Sequence, residues 1–320
     1  MSLYNAISIP FFGDSHVLRI DELELPSINP QQVLIKTIAA SVNPIDCKTR
    51  AGLGWAAQEN KDKLPWTPGY DMSGVVAAVG DPKLSDWVGK LVFGMIGFPF
   101  KGGAYSQYVV VNLDEVLAVP DGVNTLSAAA LPLAGLTAYQ ATIKNANIQP
   151  GDNVLVLGAT GGVGHIAAQI AEYKGAHVSV TGSEAKRQLL SSASIGQNWQ
   201  WLDAGNLSPN CVAKIDKVID CVGGDFSLAV LAMLDSAQSY ITLPTITAQA
   251  LKDLGQDKAI NVTNFLVESN QNQLQQLADW LKQGIINVYI GQTESIQNVA
   301  IAHQIVEQSK VAGKTILMLD

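Results

Sequence analysis

The sequence predicts an α/β chain in which a parallel sheet, covered by helices on both faces, is joined to a β-rich domain. Three observations carry this reading. Residues 32–111 contain short β-branched runs bounded by Pro, Asn or Gly, which is strand chemistry. From Leu126 onward, apolar strands alternate with stretches of helical periodicity. The first of those strands, residues 154–157, is apolar throughout, as a strand buried on both faces must be, and it runs into a glycine-rich turn.

Taken in order, residues 32–38, 74–79, 90–93 and 105–111 read as strands, and Pro120-Asp121-Gly122 as a tight turn. Residues 50–68 carry glycine and tryptophan but little periodicity, so they are expected to form a surface loop, a common place for substrate contacts. In the second region the expected strands are 154–157, 177–181, 217–220 and 239–243, and the expected helices are 162–174, 184–194 and 226–234. Beyond Phe265, Leu274, Leu277 and Leu281, then Val299, Ala302, Ile305 and Val306, follow helical spacing, and residues 315–319 close the chain as a strand.

Composition narrows the function. A chain of 320 residues, 48% hydrophobic and 15% charged, can bury two cores. No apolar run approaches the roughly 18 positions of a membrane span, and Met1-Ser2-Leu3-Tyr4 has neither the basic start nor the apolar stretch of a secretory leader. A cytoplasmic protein that binds no membrane is expected. A net charge of −8, mixed along the chain, argues against nucleic acid as a partner. Cys47, Cys211 and Cys221 are too few for a disulfide framework or an all-cysteine zinc site. His16, His165, His177 and His303 lack ligand spacing, so no metal is expected.

The segment with the most chemistry is Val154-Leu155-Val156-Leu157-Gly158-Ala159-Thr160-Gly161-Gly162-Val163-Gly164-His165. Its glycines keep a three-residue beat between a strand and a helix, with a second strand after the helix. Missing side chains let the amides of Ala159, Thr160, Gly161, Gly162, Val163 and Gly164 approach a pyrophosphate at a helix N-terminus, where the dipole favours negative charge. This is Rossmann-type dinucleotide binding; a purely structural turn is the competing reading. An NAD site places an acid at the end of the next strand, about 20 residues on. Here stand Thr181-Gly182-Ser183, followed by Lys186 and Arg187, which suit a 2′-phosphate and therefore NADPH. Two alternatives stay open: Glu184 is an acid one residue away, and Lys186 and Arg187 could be only a solvated helix face.

At these residues the chain resembles the medium-chain dehydrogenase/reductase superfamily, in particular its zinc-free quinone oxidoreductase branch. The likeness spans nearly the whole chain. It is carried by Ser41-Val42-Asn43-Pro44-Ile45-Asp46 with Arg50-Ala51-Gly52, by Pro68-Gly69-Tyr70-Asp71-Met72-Ser73-Gly74, and by Pro132-Leu133-Ala134-Gly135-Leu136-Thr137-Ala138-Tyr139. The glycine turn, Asp220-Cys221-Val222-Gly223-Gly224 and the ending from Ala302-His303 through Gly313-Lys314 complete it. The resemblance implies a GroES-like catalytic domain at 1–126, completed by 266–320, and a Rossmann domain at 127–265. It implies catalytic roles for Asn43 and Asp46 near the nicotinamide, with Asn43 hydrogen-bonding the substrate carbonyl. It adds Thr137, Val222, Gly223 and Lys314 to the cofactor set and places the nicotinamide in a cleft between the domains. Zinc-dependent relatives carry a cysteine where Asn43 stands and Gly-His-Glu where Gly69-Tyr70-Asp71 stands, and this chain lacks their cysteine-rich lobe.

The activity implied is NADPH-dependent hydride transfer, without zinc, to a small quinone, enone or similar conjugated carbonyl compound, by a homodimer. Several alternatives remain. Asn43-Pro44 and Asp46 could simply form a turn after a strand, and Thr137 a helix-start hydroxyl. Tyr70 is expected to pack inward, and Cys221 to be a small buried hydrophobe. A non-catalytic nucleotide-binding scaffold, or a crystallin or RNA-associated protein, could use the same fold. In three places the chain departs from the family: Trp199-Gln200-Trp201-Leu202-Asp203 replaces a frequent tyrosine, residues 240–244 lack a usual glycine, and the stretch from Arg50 to Pro68 is longer than in the short quinone reductases.

Overall fold

A computed structural model describes residues 3–319. The chain forms two compact units. One runs up to Leu133 and is completed by Ser269–Lys282 and the stretch from Ile290 onward; the other comprises Ala134–Glu268 and Gln283–Tyr289.

The first unit opens with an antiparallel ribbon of β1 (Leu3–Ser8) and β2 (Arg19–Glu24). The 11-residue β3 (Gln32–Val42) follows, then α1 (Pro44–Arg50), α2 (Trp55–Asn60), β4 (Asp71–Val79), β5 (Leu91–Met95), β6 (Tyr108–Asn112), β7 (Val116–Ala118) and α3 (Thr125–Ala130). From α4 (Pro132–Tyr139) the chain passes into the second unit, which holds β8 (Asn153–Leu157), α5 (Gly164–Tyr173), β9 (His177–Thr181), α6 (Glu184–Ser192), β10 (Gln200–Leu202) and α7 (Pro209–Val212). Then come β11 (Lys217–Asp220), α8 (Gly224–Met233), β12 (Ser239–Thr242), α9 (Ala248–Asp257) and β13 (Val262–Asn264). The chain ends with α10 (Gln271–Lys282), β14 (Ile290–Ser295), α11 (Val299–Glu307) and β15 (Lys314–Met318).

In the first unit β3 is the spine of a seven-stranded sheet. Along one edge its first half pairs with β6 and its second half with β15; its other edge pairs with β4 throughout. Alternation explains the register: Val33 and Ile35 are buried while Lys36 is exposed. The second unit is a six-stranded, all-parallel sheet in the order β10-β9-β8-β11-β12-β13. From β8 the chain winds outward through β9 and β10, then returns to β11 on the opposite side of β8. That reversal opens a crevice at the carboxyl ends of β8 and β11, where such sheets bind ligands. Leu155, Leu157, Val218 and Tyr240 of the strands pack with Leu231 and Leu251 of α8 and α9 to fill one face.

The α/β class and the parallel sheet are as the sequence implies, but residues 50–68 are not the surface loop expected. They contain α2 and a 3-10 turn, and Ala56, Ala57, Asn60 and Trp66 are buried. Trp66 Nε1 donates to the Lys101 carbonyl at 2.7 Å and Asn60 Nδ2 to the Ala56 carbonyl at 2.9 Å. A six-residue helix is too short for periodicity to register, and its burial is set by distant chain. Asn43-Pro44 does more than turn: Asn43 is the N-cap of α1, Pro44 its first residue, and Asp46 Oδ2 accepts the Asn43 amide at 2.8 Å.

One side chain organises the crevice end of β11. Asp220, fully buried, accepts through Oδ1 from the amides of Val222 and Gly223 (both 2.9 Å) and from Ser227 Oγ (2.8 Å). Its Oδ2 accepts from Thr242 Oγ1 at 2.9 Å. The carboxylate thereby joins β11, the start of α8 and β12. Asp220→Ala strands four donors, three of them buried, and should cost about 3 kcal/mol, lowering Tm by roughly 8 °C; a thermal melt within 2 °C of wild type would contradict this role of the carboxylate.

Candidate active site

In the second unit the glycine turn is built on β9. The Ala159 amide donates to the Thr181 carbonyl at 2.9 Å, and the Gly158 amide to Thr181 Oγ1 at 3.2 Å. Gly158 has φ +78°, which favours glycine, and Gly164 begins α5 so close that an added Cβ would lie 2.3 Å from the Gly158 carbonyl oxygen. Any side chain at Gly164 would therefore push the helix off the turn. At Gly161 a Cβ would meet only an ordinary contact, so the turn's outer side has space. The arrangement is a strand end, a side-chain-free turn and a helix N-terminus, which fits a dinucleotide pyrophosphate.

His165 secures this turn, a role that its scattered place in the sequence did not announce. Its Nε2 accepts the Tyr289 amide at 3.1 Å, so Nδ1 carries the proton and donates to the Gly161 carbonyl at 2.7 Å. Ser183 caps α6, its hydroxyl accepting the Lys186 amide at 3.4 Å. Glu184, the acid the sequence left open, pairs with Arg187 at 3.2 Å across one helical turn. Partial burial lowers the Lys186 ammonium. Val222, half exposed, and Gly223 follow β11, and Val222 Cγ2 lies 2.8 Å from where a Cβ on Gly158 would stand. The strand ends thus gather residues 158–164, Thr181, Ser183 and Val222. Thr137 sits within α4 rather than at its start and is nearly buried. Burial, then Asp220, pushes up the Cys221 thiol, consistent with an unreactive group.

In the first unit the sheet brings Asn43, Asp71 and Lys314 together from distant sequence. Asn43 follows β3, Asp71 begins β4 and Lys314 begins β15, and these three strands are neighbours. Asn43 Nδ2 donates to Asp71 Oδ2 at 2.8 Å and to the Ser41 carbonyl at 3.3 Å, while its Oδ1 accepts from Lys314 Nζ. Asp71 Oδ1 accepts the Leu133 amide at 2.8 Å, and Lys314 Nζ stands 3.9 Å from Asp71 Oδ2. Both ends of the Asn43 amide are therefore committed within the protein. Asp46 lies beside them and accepts Tyr105 Oη at 3.0 Å; its Oδ1 is buried with no hydrogen-bond partner among the described residues.

Two carboxyls and one ammonium are thus out of water in one place. Burial raises Asp71 to about 6, opposed chiefly by Lys314, and raises Asp46 to about 7, opposed by the Asn43 amide and Tyr105. Burial lowers Lys314, with Asp71 and Asp46 pulling it back. An unpaired oxygen costs less on a neutral carboxyl than on a carboxylate, so Asp46 is the member most readily protonated.

Sequence reasoning missed one support of this half. Buried Arg50 binds Glu307 and the Gly13 carbonyl and faces His303 Nδ1, tying α1 to α11; burial and Arg50 lower His303 to about 3 and hold it neutral. Tyr70 packs inward as expected, its hydroxyl donating to the Pro99 carbonyl at 3.1 Å. Among the described residues no three of His, Cys, Asp and Glu gather as a metal set.

Residues 29–121 match the alcohol dehydrogenase GroES-like domain, and residues 207–317 match a model described as zinc-binding dehydrogenase. The quinone oxidoreductase of Homo sapiens is 30% identical over 99% of this chain and 98% of its own. The quinone oxidoreductase structure from Coxiella burnetii superposes with a TM-score of 0.91 at 32% identity, covering 100% of both chains. A mycobacterial protein solved in complex with NADPH gives a TM-score of 0.81 at 26% identity over 98% of this chain and 99% of that one.

The raised carboxyls set a sign for pH dependence. Their folded-state values lie above the ordinary carboxyl value of 3.8, so between about pH 4 and 7 the folded chain binds more protons than the unfolded chain. The stability they contribute is complete below that window and is lost as pH rises through it. Asp46→Asn, nearly isosteric and unable to ionise, removes the Asp46 share. Relative to wild type, the variant's Tm should rise on the order of 5 °C between about pH 4.5 and 8; a difference that does not move with pH would show that Asp46 titrates normally.

Proposed function

The chain belongs to the medium-chain dehydrogenase/reductase superfamily, in its quinone oxidoreductase branch, and on that premise we propose that it is a zinc-independent, NADPH-dependent reductase of small quinones and enones. One observation carries the proposal: the strand–turn–helix at β8 and α5, in which Gly164 admits no side chain, next to a β9 end that offers a hydroxyl and two cations.

In this reading the amides of Thr160, Gly162, Val163 and Gly164 and the N-terminus of α5 hold the pyrophosphate of NADPH, while the amides of Ala159 and Gly161, which the sequence counted with them, are spent on the Thr181 and Gly158 carbonyls and hold the turn in shape. Ser183, Lys186 and Arg187 hold the 2′-phosphate, while Thr137, Val222, Gly223 and Lys314 complete the cofactor set. When bound, the reduced nicotinamide supplies a hydride, which with one proton converts a quinone to a hydroquinone or an enone to a saturated ketone. Asn43 and Asp46 act as positioning residues. Since the Asn43 amide is spent on Asp71, Ser41 and Lys314, it fixes the Lys314 ammonium instead of reaching for a carbonyl itself. That ammonium, in a low-dielectric site, supplies a positive field for the oxyanion that develops on a conjugated carbonyl.

The zinc-free character is supported by what occupies the positions of the relatives' ligands. Asn43 stands for a cysteine and Tyr70 for a histidine, and neither offers a thiolate or imidazole. Among the described residues no helix is long and apolar enough to cross a membrane. The proposal places the enzyme in the cytoplasm, as a homodimer acting on a small molecule rather than on nucleic acid.

Titration with NADPH and NADH, followed by fluorescence, tests the cofactor assignment. Micromolar NADPH binding is expected, weakened at least about tenfold in Lys186→Ala/Arg187→Ala with NADH little changed. Preference for NADH would overturn the 2′-phosphate assignment, and binding of neither would leave a scaffold in place of a reductase.

A further inference from the structure

The segment that departs from the family's pattern, Trp199 to Asp203, has so far no function, yet its second tryptophan stands beside the cofactor half. Trp201 lies in β10, in register with Val180 of β9. Its Nε1 donates to the Gly196 carbonyl at 3.4 Å, and its ring lies 6.0 Å from that of Trp199, tilted by 38°. Trp199 is itself buried and held by Glu172 through Nε1 at 2.9 Å. The indole of Trp201 is therefore fixed on one side by the protein.

Its other side faces the turn after β9. A Cβ on Gly182 would stand 2.5 Å from Thr160 Cγ2 and 3.2 Å from Trp201 Cζ3, so the glycine is sandwiched between the pyrophosphate turn and the indole. Gly182 is demanded by this close approach, because its backbone is not in the left-handed region. Over the indole lies Arg187, its guanidinium carbon 5.4 Å from the ring centroid. Glu184 engages that guanidinium through Nη1, at 3.2 Å.

We propose that Trp201 is the residue that makes this site selective for a dinucleotide bearing a 2′-phosphate, by stacking Arg187 so that the edge of its guanidinium is preset for a dianion. The inference rests on the NADPH reading above and deepens it. A guanidinium stacked on an aromatic face keeps its N–H groups in plane, five in a fixed fork, and loses little freedom when it binds. An unstacked arginine on a helix surface would have to be ordered at the moment of binding. A phosphate dianion gains charge-assisted hydrogen bonds from that fork, whereas the neutral 2′-hydroxyl of NADH gains little. Trp201 therefore acts through Arg187, as a positioning residue.

The test measures dissociation constants of NADPH and NADH for wild type, Trp201→Leu, Trp201→Phe, Arg187→Ala and the Trp201→Leu/Arg187→Ala pair. Leucine fills the space without a π face, and NADH binding reports that the fold is intact. Trp201→Leu should weaken NADPH about fivefold to tenfold while leaving NADH within about twofold. Trp201→Phe should restore most of the loss, and Trp201→Leu should add nothing once Arg187 is alanine. If wild type prefers NADPH and Trp201→Leu keeps the same preference, this inference fails alone and the cofactor reading stands. Equal weakening of both nucleotides, or full additivity with Arg187→Ala, would make Trp201 merely structural and also overturn it. A wild type without NADPH preference overturns both readings.

Discussion

Two carboxyls and an ammonium cannot leave water together unless each is given a partner, and the Asn43 amide is what makes their burial possible here. It donates to Asp71 and accepts from Lys314, so a single uncharged group mediates between ions that stand 3.9 Å apart. The first unit is arranged around that need. β3 must end where β4 and β15 begin, in the register observed, because a slip of one residue would turn Asp71 or Lys314 to the opposite face. The helix that follows β3 begins on Asn43 and is closed by Asp46, which is how the second carboxyl joins the group.

The position of this group gives it meaning. In the family pattern this chain resembles, Asn43 and Tyr70 occupy places where zinc-dependent relatives keep a cysteine and a histidine. The same sheet edge therefore carries an organised set of charges built from different residue types. A positive group pinned at a developing oxyanion can do by preorganised electrostatics part of what a metal does as a Lewis acid. The second unit works by contrasting means. Its glycine turn offers backbone amides and a helix terminus, and its side chains, His165 and Asp220 above all, serve to hold that backbone still.

Most of the second unit was legible in the sequence because its signals are local. An apolar strand, a glycine beat and a helix lie within about twenty residues, so periodicity and turn chemistry reveal them. The first unit was less so. The three-residue β7 and the six-residue α2 are too short to show a period, β14 and the charged β2 bury no apolar face that would mark them, and burial of Trp66 and Asn60 is decided by chain far away. Among site residues, Asn43, Asp46 and Lys314 were named from resemblance, but no spacing joins positions 43, 71 and 314; only the pairing of three strands does. Arg50 entered only as part of a motif, and nothing local says that it is buried against Glu307 and His303. Trp201 read as a loss of the family's tyrosine, and its stacking on Arg187 is visible only once β10 is laid beside β9.

Whether the charge group around Asn43 stands in place of a metal is decided by assaying metal and activity together. Purified protein would be dialysed against a strong chelator, its zinc content measured, and its NADPH-dependent reduction of a simple benzoquinone compared before and after. Zinc far below one per chain and an undiminished rate are expected. Zinc bound one to one, or a rate lost on dialysis and restored by zinc alone, would contradict that expectation.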